Sequence, residues 1–116
     1  MLTIKRLIKE AHQNAKNKGF WEDWEEIEQT QIGNEETQRM LKNNAIGNRL
    51  MLIVSELGEA QEALRHNDMD NFKEELADVA IRLGDLCGGL NIDLEDEIRK
   101  KMERNKQRPY KHGKEF

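Results

Sequence analysis

The chain has 116 residues, of which 36% are charged and 36% hydrophobic, with a formal charge of −4, one Pro, one Tyr and one Cys. That length suits one domain over residues 1–116 with a modest core, and the acidic balance argues against a coat for a nucleic-acid polymer. No apolar run approaches the ~20 residues that span a bilayer. "MLTIKRLIKEAHQN" turns polar too early for a secretory signal, and the lone Cys87 forms no internal disulfide, so a soluble cytoplasmic protein without a membrane partner is expected.

Helix formers dominate and alternating β-branched runs are missing, so the fold class is all-α. Thr3 caps a first helix whose Ile4, Leu7, Ile8, Ala11 and Ala15 recur at helical spacing, and "NKG" at 17–19 stops it. "FWEDWEEIEQTQIGNE" has aromatics and acids but no clean period. It reads as a long irregular connection with at most a short helical turn, and connections of that length are often functional. Asn34 caps a helix that persists to about His66, roughly 45 Å at 1.5 Å per residue. Its apolar side is broad, so more than one neighbour is expected on it. "HNDMDN" is a turn and cap. The next helix carries Phe72, Leu76, Val79, Ala80, Leu83, Leu86 and Cys87, with Gly88-Gly89 as its stop. Asp93 caps a last helix through Leu94, Ile98 and Met102, ended at Arg108-Pro109. The expectation is a four-helix-bundle-like architecture completed by oligomerisation.

The stretch "SELGEAQEALRHNDMDNFKEELADVAIRLGD" places acids beside the apolar stripes. Glu56 and Glu59 are three apart, as are Glu75 and Asp78, so each pair shares a helical face. Asp85 returns within about 20° of Asp78. Carboxylates drawn to a helical interface repel one another and lose solvation. A hard cation relieves both penalties, and Mg2+, or Mn2+ in its place, prefers oxygen ligands. Solvated faces and salt bridges remain the bland alternative, because ExxE spacings are common in an acidic chain. His12, His66 and His112 fall outside any Glu-x-x-His spacing, which disfavours di-iron chemistry, and no Cys/His cluster supports zinc.

A phosphorylated ligand on such a site needs cations. Lys101 and Asn105 share a face of the last helix, and Arg108, Lys111, His112 and Lys114 follow. Arg offers a planar fork for phosphate oxygens and Lys a point charge; dipole compensation at a helix end is the rival account. Trp21 and Trp24 serve a core or stack on a base, with the core favoured. Arg49 and Asn48 lie before the acids on the same helix and reach either a ligand or a salt bridge. Cys87 is read as a small buried hydrophobe.

The segments "SELGEAQEALR", "KEELADVAIRLGDLCGGLNIDL" and "KMERNKQRPYKHGKEF" resemble the MazG-like nucleoside triphosphate pyrophosphohydrolases of the all-α NTP pyrophosphatase superfamily, relatives of the dimeric dUTPases. The resemblance covers roughly 44–116 and is weak over the first third. It implies a helical bundle, a homodimer or homotetramer, and Mg2+-dependent hydrolysis of a nucleoside triphosphate to monophosphate and pyrophosphate, as in nucleotide-pool cleansing. It implies metal ligation by Glu56, Glu59, Glu75 and Asp78. It also implies nucleotide contacts from Lys101 and Asn105. Where the family often has an acid before the first Glu, this chain has Ser55. On this reading Glu56 orients or deprotonates the attacking water. Lys101 acts with Arg108 and Lys114 on the leaving pyrophosphate. A non-catalytic helical interaction protein and a nucleotide-binding regulator are the alternatives.

Overall fold

The computed structural model describes residues 1–113, the last two by backbone alone, so Lys114 lies outside the described residues. The helices are α1 (Ile4–Asn17), α2 (Glu22–Thr30), α3 (Glu35–Arg65), α4 (Met69–Gly89) and α5 (Leu94–Lys106), followed by a 3₁₀ turn at Tyr110–Gly113. No strand occurs among the described residues, as the composition predicts.

Four helices begin on a side-chain cap. Thr3, Asn34, Asp68 and Asp93 accept hydrogen bonds from the backbone N–H of Arg6, Thr37, Asn71 and Asp96 respectively, each meeting a donor the helix leaves unpaired. Three helices end alike. Gly19, Asn67 and Asn91 adopt positive φ, and the next residue's N–H returns to a carbonyl five back: Phe20 to Ala15, Asp68 to Ala63, and Ile92 to Cys87. Asn and Gly tolerate that left-handed conformation, which reverses the chain.

Two sequence expectations need correction. The stretch after Gly19 is mostly a nine-residue helix, α2. Glu22, Asp23 and Glu25 crowd its first turn, where negative charge complements the helix dipole. Gly88-Gly89 does not stop α4, which runs through Gly89 and is capped at Leu90. These glycines instead admit neighbours. A Cβ on Gly88 would press on His12 of α1, and one on Gly89 would overlap the Trp21 indole.

α4 lies between α3 and α1, α2 rests on α3, and α5 touches α1 lightly. The core is built of small side chains, Ala11, Ala45, Ala60, Ala63 and Cys87, with Leu86 and Trp21. Small residues bring the helix axes close together, and that closeness puts α3 and α4 carboxylates face to face. Burial pushes the Cys87 thiol pKa up, in keeping with a packing role. No helix among the described residues is long and apolar enough to cross a membrane.

Candidate active site

Glu56 is a buried charged residue, 7% exposed, in the middle of α3. It sits on the face that carries Ala60 and Ala63, so the close α3–α4 contact covers it. Across from it, α4 presents Glu75 and Asp78. Carboxylate oxygens of Glu56, Glu75 and Asp78 all lie within 4.8 Å of one another. Asp78 is exposed, while Glu75 is half-buried. Glu59 is exposed at the rim; it hydrogen-bonds with both Glu56 and Glu75 and adds its charge beside Glu75.

Cations and protons offset only part of this repulsion. Arg82, one turn beyond Asp78, donates from Nε to Glu56 Oε1 at 2.8 Å. Contact with the Glu56 carboxylate, then burial, then Glu59 push the Glu75 pKa up to about 7. Glu56 is held below its ordinary value, first by hydrogen bonding with Glu75 and then by Arg82, against the opposing effect of burial. The two carboxyls therefore titrate as a pair, which holds a proton, favoured on Glu75, up to about pH 7. Among the described residues, two buried oxygens, Glu56 Oε2 and Glu75 Oε2, have no donor other than the proton the two carboxyls share. Buried acceptors without partners are costly. An all-oxygen donor set with two orphaned atoms fits a hard divalent cation such as Mg2+.

A cavity of about 670 Å³ opens beside the acids, within the range of small-molecule sites. Glu56, Asp78 and Arg82 line one end. It extends past Leu52 and Ile81 to Arg49, Asp85 and Phe20. Arg49 is fixed there by Asp23, with contacts of 2.7 and 3.1 Å. Its guanidinium also donates to the Phe20 carbonyl at 2.9 Å and lies 3.9 Å from the Trp21 ring centroid. The Arg49 guanidinium holds the Asp23 pKa down. Trp21 is buried, 3% exposed, as the core reading expects.

The structure thus brings Glu56, Glu75 and Asp78 together, with Glu59 beside them. It does not bring Lys101, Asn105 and Arg108 to this cavity within one chain: all three are exposed on or just beyond α5 and line none of it. The sequence reading passed over Arg82 and Asp23. Arg82 had a signal, a cation four residues after Asp78 and so on its face. Asp23 had none, because its partner lies on another helix.

With this geometry in view, the comparison with known families is informative. The family model described as the MazG nucleotide pyrophosphohydrolase domain matches residues 47–112, more than half of the chain. The chain belongs to that family. The matched segment carries Glu56, Glu59, Glu75, Asp78 and Arg82, together with α5. No curated protein and no solved structure matches the chain significantly.

Proposed function

We propose that the protein hydrolyses a nucleoside triphosphate to the monophosphate and pyrophosphate in the presence of Mg2+, with Mn2+ as a substitute. The observation that carries this reading is the pair of orphaned oxygens on Glu56 and Glu75 facing Asp78, at the end of a cavity large enough for a nucleotide. Membership of a nucleotide pyrophosphohydrolase family supports it. Glu56, Glu59, Glu75 and Asp78 would hold the cation. When bound, it would neutralise charge on the phosphate oxygens and polarise the scissile anhydride.

The chain's own residues supply the rest. Glu56 orients the attacking water and draws off its proton, and Arg82 fixes the carboxylate that does so. In-line attack needs no covalent intermediate, so a Ser or Cys nucleophile is unnecessary. Lys101, Asn105, Arg108 and Lys114 steady the pyrophosphate. Because α5 stands away from its own cavity, we assign that contribution to a second copy of the chain, in a homodimer or homotetramer. The test is a panel of ribo-, deoxyribo- and modified nucleoside triphosphates, assayed for pyrophosphate release with and without Mg2+. Release that depends on Mg2+ is expected. Nucleotide binding without turnover across the whole panel would instead make the protein a regulator.

A further inference from the structure

Asp85 has no part in the four-acid set, yet it lines the same cavity. It follows Asp78 by seven residues on α4, which places it about 10.5 Å further along the helix axis. That span is comparable to a nucleotide's reach from its 5′ phosphate to the far edge of its base. Between the two aspartates the cavity is walled by Leu52 of α3 and Ile81 of α4, and Phe20, 69% exposed, lies at the far end. Apolar walls suit the faces of a planar ring.

The carboxyl group of Asp85 is oriented by two donors on one oxygen. Trp21 Nε1–H donates to Oδ1 at 2.7 Å, and His12 Nδ1 lies 3.0 Å from the same atom. The imidazole donates, because a carboxylate only accepts. Among the described residues nothing donates to Oδ2. Three elements therefore cooperate to set one acceptor in place, two turns from the acids and at the height where a base would lie.

Resting on the hydrolase reading above, we propose that Asp85 makes the site selective for nucleotides whose base carries an exocyclic amine, as cytosine does at its 4-position. Oδ2 accepts from that amine. Uracil sets a carbonyl oxygen at the same place, so two acceptors would face each other and the part-buried carboxylate would lose its partner. A hydrogen bond to a carboxylate is worth about 10–100-fold in affinity.

The experiment is calorimetric titration of the full chain with cytidine and uridine monophosphates in the presence of Mg2+, alongside Asp85→Asn. The asparagine keeps the shape and an oxygen for Trp21 and His12, and turns the cavity-facing atom into a donor. The wild type is expected to favour the cytidine nucleotide at least tenfold, and Asp85→Asn to reverse that preference. Equal affinities in the wild type, as contact with ribose alone would give, overturn the proposal. So does binding of neither nucleotide, or a variant that weakens both alike through a merely structural role. The wild-type comparison stands even if the variant does not fold. Selective binding without pyrophosphate release leaves the Asp85 assignment intact and removes only the hydrolase reading.

Discussion

At the scale of single residues, the site is a case of charge confined by packing. Glu56 cannot leave the α3–α4 contact without opening it, and Glu75 answers by keeping a proton. Replacing Glu56 with Gln or Asp78 with Asn removes one carboxylate each and changes little volume. Each is expected to lower pyrophosphate release by at least about 10²-fold, the scale on which losing one electrostatic group acts, while the helical circular dichroism signal stays. Turnover retained by both variants would rule the acids out. The Glu75 shift also sets a pH dependence for metal-free protein. Its folded pKa of about 7 lies above the ordinary carboxyl value of 4.5. The folded state therefore favours the protonated group, and the associated stability is fully present below 4.5 and lost as pH rises through 7. Metal-free protein should lose thermal stability between those values, and Glu75→Gln should flatten that segment of the profile. Mg2+ should raise the melting temperature more at pH 8 than at pH 5, because protons compete with the cation. An identical Mg2+ effect at both pH values would contradict the assignment.

At the scale of elements, α4 holds the design together, since it meets α3 with its acids and α1 with its glycines. Gly89→Ala sets two effects against each other. Alanine improves helix propensity by about 1 kcal/mol, but its Cβ would overlap Trp21, and overpacking costs about 1–3 kcal/mol. A net loss of stability is expected in urea unfolding. Gly58 in α3 has open space at its Cβ, so Gly58→Ala should stabilise by about 0.5–1 kcal/mol. The same contrast marks what could be read from sequence. Caps at Thr3, Asn34 and Asp93 and the apolar periods of α3, α4 and α5 are local signals, and those helices stand as expected. α2 escaped because its only apolar positions are Trp24 and Ile27 among acids, with no stripe long enough to register. Gly88-Gly89 was misread because a helix stop and a packing notch look alike until Trp21 and His12 are seen against them. The spacings of Glu56, Glu59, Glu75 and Asp78 were legible as pairs. The hydrogen bonds that orient Asp85, and the Arg49–Asp23 clamp, arise from crossings between helices and leave no local trace.

At the scale of the whole molecule, the openness of one chain supports the proposal that it assembles with a second copy. Its radius of gyration is 17.4 Å, against about 13 Å for a compact chain of this length. Every residue from Arg99 to Lys111 is exposed, and α5 buries none of its side chains, leaving Met102 58% exposed. A thirteen-residue helix with so little packing is marginal in water, so the second half of α5 lacks a surface to lie on. Such a surface exists on α3. Leu50, Val54, Leu57 and Leu64 recur along one side of it, each about half exposed, and on α4 Leu76 and Leu83 lie roughly opposite Asp78 and Asp85 around the helix. Exposed apolar area of this extent marks an interface. In the proposed oligomer a second copy would supply both needs at once, covering the stripe and bringing the cations of its α5 to the neighbouring acids. Light scattering after size exclusion should therefore give an even-numbered oligomer. Val54→Glu, which places a charge on the stripe away from the cavity, should shift the mass to one chain and abolish turnover. Lys101→Ala should keep the assembly but lower turnover. Mixing Asp78→Asn chains with Lys101→Ala chains, both intact at Val54, should raise turnover above that of either variant alone, because the hybrid contains one site with both its acids and its partner's lysine. Absence of that rescue, with assembly intact, would return Lys101 to the surface of its own chain.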